Sequence, residues 1–193
     1  MAAARQVRAT LVLGHGAGGG VETPDLVALS RELPQAGVTV VRVEQPWRVA
    51  GRKVAAPPPQ LDVAWRAVLG HLDIEGALVV GGRSAGARVA CRTAIELGAM
   101  GCLALAFPLH PPGRAEVTRV HELTAAGVPT LVVQGGKDPF GAPEHFPDGP
   151  ATVRPVPYAD HSFRVAKAAP LTQREAIGLV VGHVRTWLGD LLG

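Results

Sequence analysis

VVGGRSAGAR, residues Val79 to Arg88, sets a serine among glycines at the end of an apolar run. Serine is scarce in this chain: Ser30, Ser84 and Ser162 are the only three. The run Ala77–Val80 reads as a strand, and the small residues behind Ser84 read as the start of a helix. Gly82-Arg83-Ser84-Ala85-Gly86 is therefore GxSxG between a strand and a helix. That turn is so sharp that side chains flanking the serine would collide with the neighbouring strand and helix, which is why glycines flank it. Its alternative reading is a plain tight turn with no chemistry attached.

Further short apolar runs surround this one: Ala9–Leu13, Val38–Val43, Cys102–Phe107, Thr130–Gln134 and Thr152–Val156. They read as continuously apolar, as strands covered on both faces do. Helical spacing separates them. Leu26, Leu29 and Leu33 follow Thr23-Pro24, an N-cap with proline at the first helical position. Leu61, Ala64, Val68 and Leu72 mark a second helix, Glu116–Ala126 a third, and the stripe from Ile177 through Val180, Val184 and Leu188 to Leu191 a last one. The proline-rich Val54–Gln60 reads as a loop. This alternation predicts an α/β protein with a mostly parallel sheet of about six strands and helices on both faces. At 193 residues the chain fits a single domain, 1–193.

Ligands of open α/β sheets gather at the carboxyl ends of the strands, where four segments meet. Ser84 follows one strand. His161, in PYADHSF, lies between the last strand and the last helix, where a base able to take the serine proton would stand. Asp138, in QGGKDPFG, follows the strand Thr130–Gln134 and is the acid to orient that base. Asp160 is its rival, but adjacent side chains point apart, so it is badly placed to grip the ring of His161. GHGAGGG, Gly14–Gly20, follows the first strand. Its backbone at Ala17, with the N–H of Ala85 behind the serine, suits an oxyanion. His15, Trp47 and His110 fall on the same rim as candidates for substrate contact, and the Arg48–Lys53 basic cluster there reads as a solvated loop, with contact to an acidic substrate as its alternative.

The glycine loop also supports a rival reading. Gly14, Gly16 and Gly19 match GxGxxG, and Glu44 ends the next strand where a ribose-binding acid would sit. A dinucleotide site needs its helix to start within the glycines, and Thr23-Pro24 starts it several residues too late. A dinucleotide-binding oxidoreductase is therefore the weaker alternative, and no cofactor or metal is expected.

Composition narrows the partners. The chain is 47% hydrophobic and 18% charged, as a folded globular protein is. A net charge of +3, scattered basic residues and 4% aromatics argue against nucleic acid. Two cysteines, Cys91 and Cys102, have no disulfide or metal-ligand spacing, and no apolar stretch spans a membrane. A cytoplasmic protein acting on a small molecule is expected.

Together, GHGAGG, GGRSAG, GGKDPFG and ADHSF resemble the α/β-hydrolase superfamily in its own order, from the first strand to the last helix. The chain looks most similar to small lidless members of the dienelactone-hydrolase-like and KANL/Tex type, which carry a loop like FPLHPPG, here Phe107–Gly113. The resemblance implies a minimal α/β-hydrolase fold without a lid domain. It further implies a serine hydrolase of small carboxylic esters or related acyl compounds, with Ser84 as nucleophile, His161 as base and Asp138 as its partner. Two departures stand out. Dienelactone hydrolases use a cysteine where this chain has Ser84, and the superfamily's leading antiparallel strands are missing. Some relatives of this type are scaffold components, so a binding protein on the same fold is the other alternative.

Overall fold

The apolar runs pair into one all-parallel sheet in the computed structural model, which describes residues 7–149 and 151–193. Its strands are β1 (Ala9–Gly14), β2 (Val38–Val43), β3 (Ala77–Arg83), β4 (Gly101–Leu105), β5 (Thr130–Gly135) and β6 (Ala151–Val156). Their order is β2-β1-β3-β4-β5-β6. The chain runs outward from β1 to β2, then crosses back to β3 and continues the other way. The crevice between the carboxyl ends of β1 and β3 is therefore the switch point at which ligands of such sheets bind.

Two-residue alternation in the strands builds two cores. Leu11, Leu13, Val79, Leu103, Leu105, Leu131 and Val133 face one side of the sheet. They pack under α1 (Pro24–Glu32) and the last helix, Gln173–Leu192. Val12, Val80, Cys102, Ala104 and Val132 face the other side. There they meet Trp65, Leu61 and the small residues behind Ser84. That second layer holds α2 (Pro46–Val49), α3 (Pro58–Leu69), α4 (Ala85–Thr93) and α5 (Val120–Thr124), and the last helix is α6. A capping box starts α6, with Thr172 Oγ1 accepting from the Glu175 N–H while Glu175 reaches back to the Thr172 N–H.

Several expectations need correction. The edge strands β2 and β6 are not continuously apolar, because each has a neighbour on one side only and exposes Thr39, Arg42, Thr152 and Arg154. Strand β4 stops at Leu105, since Ala106 turns to φ 45°. Strand β3 runs on through both glycines to Arg83. The prolines of Val54–Gln60 do not all lie in a loop: Pro57 caps α3 and Pro58 and Pro59 form its first turn, where the missing N–H has no helical partner to lose. The helix expected over Glu116–Ala126 is only Val120–Thr124. Between β4 and β5 there is thus a proline-rich loop and one short helix, with no lid. Among the described residues, no helix is long and apolar enough to cross a membrane.

Candidate active site

Ser84 sits between β3 and α4 with φ 53° and ψ −109°, a conformation that L-residues rarely adopt. Close packing accounts for the glycines around it. A Cβ on Gly82 would lie 2.5 Å from the Gly14 carbonyl oxygen, and one on Gly86 would run into the Gly14 backbone. The end of β1 thus presses directly on the turn that carries Ser84, itself half-buried.

The chain order brings distant segments to this hydroxyl. His161 Nε2 lies 2.9 Å from Ser84 Oγ, and His161 Nδ1 lies 2.8 Å from Asp138 Oδ2. With the proton on Nδ1 donated to Asp138, Nε2 accepts the Ser84 O–H. Asp138 is buried, its Oδ1 accepting from the Phe140 N–H at 2.8 Å and its Oδ2 from the Gln134 amide at 2.9 Å. The acid and base loops touch because Gly135 has no side chain: a Cβ there would lie 2.5 Å from the Ala159 carbonyl oxygen. Asp160 is otherwise engaged. Its Oδ1 accepts from the Ser162 and Arg164 N–H groups at 2.7 and 2.9 Å, tightening the base loop.

Ala85 is the first residue of α4, so its N–H has no helical acceptor. Neither that N–H nor the one of exposed Ala17 has a protein acceptor among the described residues. Gly16 holds the two segments together, since its missing Cβ would lie 3.1 Å from Ser84 Cβ. Helix α1 begins only at Pro24, beyond the glycine loop.

Two rim candidates turn inward. His15 is fully buried, its Nδ1 donating to the Gly16 carbonyl at 2.8 Å and its Nε2 accepting from the Gln45 N–H at 2.9 Å. Trp47 is 2% exposed and meets the His15 ring edge-on at 5.3 Å. Both brace the glycine loop from behind, so neither is free to touch substrate. Arg48 lies 3.6 Å from Glu44, while Arg52 and Lys53 border a depression of about 650 Å³ beside Trp47. His110 is half-buried on the rim, its Nδ1 donating to the Pro111 carbonyl and its N–H to Phe140.

Three side chains escaped the sequence reading. Phe140 stacks on the His161 ring with centroids 4.2 Å apart. Gln134 holds Asp138 from below, and also donates to the Gly141 carbonyl at 2.7 Å. Arg83, 7% exposed, donates to the His161 carbonyl at 2.7 Å. Its Nε is 3.5 Å from Asp25 Oδ2. Burial pushes the Asp25 carboxyl above its ordinary 3.8, while Arg83, Thr23 and nearby helix N–H groups pull the other way. The signal for Arg83 was alternation, which puts it on the same face of β3 as Val79 and Gly81, under α1.

Solved structures share this architecture. The chain is similar to Est1E from Butyrivibrio proteoclasticus, solved with ferulic acid bound, at 14% identity and TM-score 0.68, covering 98% of this chain and 91% of that one. It resembles an esterase domain from Rhodothermus marinus at 14% identity and TM-score 0.66, covering 100% and 90%. A serine hydrolase without a lid from Xanthomonas campestris is similar at 21% identity and TM-score 0.57, covering 94% and 84%. At such identities the likeness is one of fold. No curated protein matches the chain. The family model described as "Alpha/beta hydrolase domain" matches residues 7–189, nearly the full length, and the chain belongs to that family.

Proposed function

We propose that this protein is a serine hydrolase of small carboxylic esters, working as one catalytic domain through an acyl-enzyme. The observation that carries the reading is the continuous chain of contacts Ser84 Oγ–His161 Nε2–Asp138 Oδ2, at 2.9 and 2.8 Å, ending on a serine held at φ 53°. A serine hydroxyl is a weak nucleophile until a base within hydrogen-bond reach removes its proton, and that base needs a fixed tautomer.

In this mechanism Ser84 Oγ attacks the ester carbonyl and its proton passes to His161 Nε2. Buried Asp138 stabilises the imidazolium and keeps the ring aligned. The carbonyl oxygen becomes an oxyanion held by the N–H groups of Ala17 and Ala85. Collapse expels the alcohol, which takes the proton back from Nε2. A water then attacks the acyl-serine by the same route, releasing the acid and restoring Ser84. The open rim between β4 and β5 supports short acyl chains, and half-buried His110 is placed to meet the leaving group. The free, buried Cys91 and Cys102 fit a reducing, cytoplasmic setting.

Hydrolysis of p-nitrophenyl acetate and butyrate by the wild type and by Ser84→Ala tests the proposal. Turnover by the wild type that is lost in a folded Ser84→Ala supports it, and equal turnover by both contradicts it.

A further inference from the structure

We propose that Arg83, the residue before the candidate nucleophile, is a positioning residue that fixes the base His161 through its backbone, with Asp25 holding the guanidinium in place. This rests on the hydrolase reading above.

The residue between Gly82 and Ser84 is the one freely variable position before the serine of GxSxG, and an exposed side chain would suffice there. Instead the alternation of β3 sends Arg83 into the layer beneath α1, where 8% of its side chain is exposed. A guanidinium in such surroundings needs a counter-charge and partners for its N–H groups. Asp25, at the start of α1 with 2% of its side chain exposed, supplies the charge at 3.5 Å. The hydrogen bond goes elsewhere: Nη2 donates to the carbonyl of His161 at 2.7 Å.

That carbonyl belongs to the base itself. Among the described residues it is the one hydrogen bond to the His161 backbone. The base loop has little regular support of its own. Tyr158 and Phe163, on either side of His161, both have positive φ (62° and 52°). Its other ties hold neighbouring residues and not His161: Lys137 N–H to the Ala159 carbonyl, Ala159 N–H to the Val156 carbonyl, Asp160 N–H to the Arg164 carbonyl, Phe163 N–H to the Asp160 carbonyl, the Gln173 amide to the Phe163 carbonyl, and the two N–H groups on Asp160 Oδ1. Because Arg83 and Ser84 are consecutive, the grip on the base and the position of the nucleophile share one rigid origin in β3. Losing the grip lets the ring shift relative to Oγ, and a displacement of about 1 Å can cost 10²-fold in rate.

The test uses Arg83→Met, Arg83→Lys and Arg83→Ala in the full chain. The readouts are kcat and KM for p-nitrophenyl butyrate, the rate of fluorophosphonate labelling, and thermal unfolding. Arg83→Met is expected to lose about 10²-fold in kcat and in labelling rate, with KM changed less than about twofold. Arg83→Lys, whose ammonium can reach the carbonyl without spanning to Asp25, should fall between Arg83→Met and wild type. Guanidinium at low millimolar concentration should restore part of the rate to Arg83→Ala and none to wild type. A folded Arg83→Met with wild-type kcat, or one in which KM alone rises, overturns the inference. If Arg83→Met does not fold, Arg83→Lys decides: unchanged kcat with a lowered Tm makes Arg83 merely structural. A wild type that takes no fluorophosphonate at Ser84 sinks the hydrolase reading instead, so the two failures are told apart.

Discussion

Helix α4 carries two clusters of polar groups that use the same interactions to opposite ends. Along its body Arg88 and Arg92, one turn apart, close a lattice with Glu122 of α5 and Asp62 of α3. Arg88 grips both Glu122 oxygens at 2.6 and 2.7 Å, and Arg92 reaches Glu122 at 2.7 Å and Asp62 at 2.6 Å. Every carboxylate oxygen in it is paired, the backbone is regular helix, and nothing is left over to react. At the N-terminus of the same helix the chain of bonds from Gln134 through Asp138 and His161 ends on a half-buried hydroxyl. Beside it stand strained backbone and two N–H groups that have no protein acceptor among the described residues. Paired buried charge on its own is therefore a structural feature. The candidate site differs because its network ends on a partly exposed serine instead of closing on itself.

The sharpest way to break this contrast is at Asp138. Asp138→Asn is expected to keep the fold and lower kcat by up to about 10⁴-fold, because the amide favours the wrong tautomer of His161. Asp160→Asn, which loosens only two N–H bonds of the base loop, is expected to stay within about tenfold, against a hydrogen-bond contribution of about 1 kcal/mol. Steady-state kinetics of both variants checks the ranking, and the reverse order would move the acid to Asp160.

The lattice should respond in stability and not in rate. Burial lifts the Glu122 carboxyl, but hydrogen bonds and charge from Arg88 and Arg92 outweigh it and hold the group below its ordinary 4.5. A carboxylate with a depressed folded pKa contributes stability that is full above its unfolded value and is lost as pH falls through the folded one. Glu122→Gln is accordingly expected to cost about 2–3 kcal/mol at neutral pH, less than the roughly 3–5 kcal/mol of breaking a fully buried pair because the arginines are partly wetted. Its penalty should shrink below about pH 4.5, with kcat/KM unchanged within about twofold. Urea unfolding at pH 7 and pH 4 measures this. A large loss of activity without a loss of stability would erase the distinction between the two clusters.

The smallest effect concerns acyl length. A pocket that buried the four methylenes separating butyryl from octanoyl would gain about 3 kcal/mol, roughly 10²-fold in kcat/KM. With no lid over the rim, acetyl and butyryl esters are expected to match or exceed octanoyl. A series of p-nitrophenyl esters tests it, and a rate that climbs steadily past eight carbons would reveal a deep channel.

The parts legible in the sequence were those where local sterics leave one solution. Gly82 and Gly86 had to be glycine to let β1 approach, and the strands covered on both faces showed as apolar runs. The order of loops along a parallel sheet then brought Ser84, Asp138 and His161 to one edge. What the sequence hid was side-chain direction. His15 and Trp47 lie on the right rim by chain order, but the short helix after Pro46 folds Trp47 inward onto His15. Arg83 and Gln134 drew no role from the sequence, and the alternation that puts Arg83 on one face of β3 does not say that α1 and Asp25 cover that face. Prolines misled at Pro57–Pro59, since the same ring that breaks a helix interior fits its first turn.

The central claim is that Ser84 is the nucleophile, and covalent capture tests it most directly. The wild type would be treated with a fluorophosphonate, digested, and the modified residue located by tandem mass spectrometry. The expected result is a single adduct on Ser84, formed more slowly in Asp138→Asn and absent in Ser84→Ala. Adducts on Ser30 or Ser162, or none on a folded wild type, would contradict it.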